Sequence, residues 1–96
     1  MSSRTPQECV DLAVDSSASK ADREDAIDEL KTANECDELA DIAANDDLGS
    51  DIRQRALRAL ATPQCDSMLE NLVEGDRLDG SLQQRAEDLL DDTDEG

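Results

Sequence analysis

A chain of 96 residues allows one small domain. Nine basic against 26 acidic side chains, with no histidine, give a formal charge of −17, and Phe, Trp and Tyr are absent. That balance argues against nucleic acid, which needs phosphates neutralised and bases stacked, and against an anionic membrane surface. It also removes every Cys-His, Ser-His and imidazole-metal arrangement.

In chain order, six helices are expected. Thr5-Pro6-Gln7-Glu8 opens the first, near 6–16, with an N-cap Thr, Pro at the first helical position and Glu8 placed for a capping box. Ser19 caps a second near 20–32. A third, near 35–45, carries Cys36, Leu39, Ala40 and Ala43 at i, i+3, i+4 and i+7. Ser50 caps a fourth near 50–61, where Ile52, Ala56, Ala59 and Leu60 again line one face. Thr62-Pro63 repeats the Thr-Pro start for a fifth near 63–74. Ser81, with Gln84 three residues on, caps a sixth near 80–91. Gly49, Gly75 and Gly80 fall in turns. No segment alternates as a strand does, so the fold class is all-α.

Sliding the chain by 30 residues aligns it with itself three times, as repeats 5–34, 35–64 and 65–94 of one domain spanning 5–94, with 1–4 and 95–96 as flexible termini. The columns are Cys9/Leu39/Leu69, Leu12/Ile42/Leu72, Ala13/Ala43/Val73, Ala18/Leu48/Leu78, Asp22/Ile52/Leu82, Ala26/Ala56/Ala86, Ile27/Leu57/Glu87 and Leu30/Leu60/Leu90. Of these 24 cells 22 are apolar, where a 36% apolar composition predicts about 9. A polar column, Arg23/Arg53/Gln83, keeps the same period. The exceptions, Asp22 and Glu87, fall in the outer repeats, as expected of caps on a short stack.

Ile52, Arg53, Ala56, Ala59 and Leu60 match the second helix of a HEAT repeat, Val-Arg-x-x-Ala-x-x-Ala-Leu; Leu82, Ala86 and Leu90 keep its apolar part, and Arg23, Ala26 and Leu30 keep some of it. The chain therefore resembles short HEAT-like, armadillo-type repeat proteins, although its period is below the usual length of about 40 residues. The resemblance implies an α-solenoid of three helical hairpins, six helices in a HEAT-like superhelix, used for protein interaction or as an accessory subunit of a lyase-type enzyme. Its 17 Asp against 9 Glu, 7 Arg against 2 Lys, and 12 Ala look like a protein of an extremely halophilic archaeon. An acidic regulator that folds on binding is the competing reading of the composition.

Chemistry is sparse. Cys9, Cys36 and Cys65 lack metal or redox spacing and are read as core thiols, free because equivalent helices pack about 10 Å apart, beyond the roughly 7 Å disulfide limit. Their odd number, with no apolar leader, suggests the cytoplasm. Asp76 and Glu87 have EF-hand end spacing, but Leu78 and Gly80 stand at ligand positions and Ser81 where Gly is required. Catalytic residues, cofactors and metals are therefore expected to be none. Arg23, Arg53, Arg55, Arg58 and Arg85 all lie on second helices, whereas first helices carry acids and no Lys or Arg. In HEAT-like stacks second helices line the concave face, so the resemblance implies that these five arginines meet a protein partner of a monomeric, non-enzymatic module. The competing reading pairs them with nearby carboxylates such as Asp25, Asp51 and Glu87.

If screening is what permits −17 on so small a fold, helicity rises cooperatively between dilute buffer and about 1 M KCl, where the Debye length falls to about 3 Å. Circular dichroism across that range checks it; a signal flat with salt contradicts the salt dependence.

Overall fold

Thr5 closes the expected capping box: its hydroxyl accepts from the Glu8 N–H at 3.2 Å, and its own N–H donates to Glu8 Oε1 at 2.8 Å. In this computed structural model, which describes residues 5–75, 77–78 and 80–95, six helices follow. They are α1 (Pro6–Val14), α2 (Lys20–Thr32), α3 (Cys36–Ala43), α4 (Ser50–Leu60), α5 (Asp66–Glu74) and α6 (Gly80–Glu95). No strand occurs among the described residues. Of the termini expected to be flexible, 1–4 and 96 lie outside the described residues, and Glu95 ends α6.

Ser19 caps α2 as expected, accepting from the Asp22 N–H. Two other serines do not cap. Gly49 takes the N-cap of α4 and places Ser50 inside the helix; α6 begins at Gly80, so Ser81 is also internal. The Thr62-Pro63 start is displaced too. The Thr62 hydroxyl and carbonyl both accept from the Cys65 N–H, holding 63–65 in a turn, and α5 starts only at Asp66.

The connection from α2 to α3 is fixed by a Schellman arrangement. Glu35 N–H donates to the Leu30 carbonyl and Asn34 N–H to the Lys31 carbonyl, with Asn34 at φ 58°. Asparagine is among the few non-glycine residues that adopt this left-handed conformation readily.

The helices pair as α1 on α2, α3 on α4 and α5 on α6. Successive pairs meet through α2 on α4 on α6 and through α1 on α3 on α5. The radius of gyration, 12.5 Å, is that of a compact chain of this length. One continuous core results, led by Ile27, Leu30, Leu39, Ile42, Leu57, Leu60, Leu69 and Leu72. The repeated columns supply it. Asp22 and Glu87 are exposed, while Ile52 and Leu82, or Ile27 and Leu57, of the same columns are buried.

The cysteines overturn the expectation of three thiols. Cys36 and Cys65 form a disulfide with Cα atoms 5.4 Å apart. The spacing of about 10 Å applies to helix axes, not to helix ends. Cys36 is the first residue of α3, and Cys65 lies in the turn before α5, where the chain can approach closely. Cys9 is buried, its sulfur 3.8 Å from Glu29 Oε1.

Ala26, Ala56 and Ala86 are fully buried. Ala56→Leu leaves helix propensity nearly unchanged but overpacks this column, so it should cost about 1–3 kcal/mol. Ala21→Leu, at an exposed position of α2, should cost far less. Unfolding midpoints at equal salt test the difference.

Candidate functional site

The five arginines do not act alike, because the helices present them to different surroundings. Arg53 is only 4% exposed. Its Nε–H donates to the Ala43 carbonyl at 2.8 Å, and its terminal nitrogen lies 3.7 Å from Asp46. Arg23 Nε–H donates in the same way to the Ala13 carbonyl at 2.9 Å, and Gln83 Nε2 to the Val73 carbonyl at 3.3 Å. Each donor sits ten residues beyond its acceptor. The acceptors lie in the last turns of α1, α3 and α5, where helix carbonyls lack intrahelical partners and the dipole is negative. Arg23 and Arg53 therefore close hairpins. Both arginines are thus engaged within their own hairpins, Arg53 from a buried position and Arg23 from a half-buried one.

Arg55 and Arg58 face elsewhere. Residues three apart on a helix are neighbours, and these two share a shallow groove between α2 and α4. One stretch, of about 210 Å³, is lined by Asp28, Lys31, Arg55, Arg58 and Ala59; the next, of about 180 Å³, by Lys20, Glu24, Asp51, Gln54, Arg55 and Arg58. Arg55 spans the two helices, with one terminal nitrogen 2.9 Å from Asp28 and the other 3.9 Å from Glu24. The Asp28 hydrogen bond pushes its pKa further up, so Arg55 is always charged. Its Nε–H is buried without an acceptor among the described residues. Lys20 pairs with Asp51 at 3.4 Å between largely exposed side chains, a contact of small energetic weight. Arg58 and Lys31 are exposed at the groove and form no ion pair among the described residues. Arg85 lies exposed on α6 and lines neither stretch.

Carboxylates paired with these arginines among the described residues include Asp28, Glu24 and Asp46, while Asp51 pairs with a lysine. Four of the chain's nine cationic side chains gather at this groove, beside Glu24, Asp28 and Asp51 and with Asp25 near Arg55, on a chain of −17. No group of three or more Cys, Asp or Glu side chains is placed to hold a metal among the described residues, and no helix among them is long and apolar enough to cross a membrane. At the turn after α1, the Ser17 hydroxyl and N–H both donate to Asp15 and hold its carboxyl below the ordinary value. Whatever that exposed turn contributes is present above the unfolded pKa and is lost as pH falls through the lowered one.

No family model matches the chain, and neither a curated protein nor a solved structure matches it significantly.

Two substitutions separate the roles on α4. Arg53→Leu strips the Ala43 carbonyl of its donor and should cost about 1–3 kcal/mol, while Arg53→Gln, the side chain used by the third hairpin, should cost less. Arg58→Ala should stay within about 0.5 kcal/mol. Equal losses for Arg53→Leu and Arg58→Ala in salt-matched denaturation would contradict the assignment.

Proposed function

We propose that the chain is a non-enzymatic protein-interaction module: a short HEAT-like α-solenoid, salt-adapted and cytoplasmic, that receives a protein partner on the face formed by α2 and α4. The observation that carries this reading is the gathering of Lys20, Lys31, Arg55 and Arg58 at one groove of a strongly acidic chain. Three contact patterns support the solenoid part: pairing within hairpins, stacking of second helices on one another, and parallel stacking of first helices. Asp and Glu exposed on α1 and α3, including Glu8, Asp11 and Asp37, give the other face the opposite character.

Arg58 and Lys31 are the binding residues of this reading, since both have charge to offer without breaking an internal pair. Arg55 contributes from a position already held by Asp28 and Glu24. Arg85 is peripheral. At molar salt, long-range steering is screened, so recognition rests on direct Arg–carboxylate contact. The absence of Tyr and Trp leaves Arg as the main hot-spot residue and favours modest affinity. The reading as an accessory enzyme subunit draws on resemblance alone and has no residue of its own.

The test is capture at about 2 M KCl, close to full screening, using immobilised wild-type chain, a Lys31→Glu/Arg58→Glu double variant and an Arg77→Glu control. Proteins retained by wild type and the control should be lost from the double variant, with helicity unchanged. Retention by all three contradicts the proposed face.

A further inference from the structure

The Cys36–Cys65 disulfide ties the second hairpin to the third, whose bond between paired helices is the longest of the three among the described residues. Its interhelical bond uses Gln83 rather than arginine and is 3.3 Å long, against 2.9 and 2.8 Å in the other hairpins. The amide also carries a misfit: Gln83 Oε1 is buried with no hydrogen-bond partner. Among the described residues, α5 and α6 pack less extensively than α1 with α2 or α3 with α4. The α5–α6 pair is therefore where local opening requires the least disruption. We propose that the Cys36–Cys65 bond is a reversible thiol–disulfide exchange site that locks the α5–α6 hairpin onto the rest of the fold, and that a dithiol reductant releases it.

The two sulfurs are unequal. Cys36 is half-buried, whereas Cys65 is 2% exposed. A reductant thiolate attacks Cys36 Sγ; the Cys36–Cys65 bond breaks, and Cys65 leaves as a thiolate that takes a proton from water. The second reductant thiol, deprotonated, then displaces Cys36 and closes its own disulfide. Two electrons and two protons pass to the protein, and the dithiol is oxidised. Cys65 stands at the N-cap of α5, where the helix dipole stabilises a departing thiolate and so favours exchange. Cys9 lies at neither sulfur's helix end and remains a core thiol.

This inference does not rest on the partner-binding groove: it concerns α3 and α5, and its readout needs no partner. The experiment uses the full chain at fixed high salt. Iodoacetamide in denaturant should modify one cysteine without reductant and three after dithiothreitol. Amide hydrogen exchange should then be read by mass spectrometry before and after reduction. A Cys36→Ser/Cys65→Ser variant removes the bond without any reductant. Reduction and the double variant should each accelerate exchange in α5 and α6 by about tenfold or more, leaving α1 to α4 nearly unchanged, and reoxidation should restore protection. Modification of all three cysteines without reductant overturns the proposal. So does unchanged exchange in α5–α6, a uniform rise along the chain, or failure of reoxidation to restore protection.

Discussion

One hydrogen bond per hairpin, from the second helix to the last turn of the first, organises this fold. A helix ends with carbonyls that have no intrahelical donor and that carry the negative end of its dipole. In the first two hairpins an arginine Nε–H meets that need. The bond fixes how far the second helix can slide along the first, because donor and acceptor are always ten residues apart. It also fixes the turn between them. In the first two hairpins Asp15 and Asn45 accept from the N–H two residues on, and an i to i+3 backbone bond follows. With the turn and the slide set, Ala26, Ala56, Leu30 and Leu60 all enter the core.

Between hairpins the forces are of a different kind. Apolar columns from different hairpins share one core, and the two polar members of those columns, Asp22 and Glu87, are both exposed. Arg55 with Glu24 and Asp28, and Lys20 with Asp51, add ion pairs across α2 and α4. Such partly exposed pairs contribute little each. They matter more for placing positive charge than for stability. The burial of aliphatic columns works against the mutual repulsion of a −17 surface, a repulsion that salt screens.

Much of the architecture was legible in the sequence because periodicity encodes burial. The 30-residue columns located the core, and the Thr5 box, the Ser19 cap and all six helices followed from local rules. Ser50, Ser81 and Thr62 misled for a common reason: a capping side chain specifies a helix start only if the turn before it leaves the helix free to begin there. Gly49 and the turn at 62–65 set those starts instead. The interhelical bonds were visible only indirectly, as a polar column and a small apolar column offset by ten. Their acceptors are backbone carbonyls, which leave no residue signature. The disulfide was hidden by treating helix ends as if they kept the spacing of helix axes.

The division of labour among the arginines is a consequence of helical phase. At about 100° per residue, Arg53 and Arg55 point about 160° apart, while Arg55 and Arg58 fall within about 60° of each other. Ala56 and Leu57 take the remaining directions and are buried. The run Arg53 to Arg58 thus sends one guanidinium back to its own hairpin and two outward to the groove shared with α2. Moving any of these arginines by one position would turn it by about 100°, away from either its carbonyl or the groove. Internal closure and external charge can therefore occupy one short helix without competing, because Arg53 is withdrawn to 4% exposure while Arg58 keeps its charge at the surface.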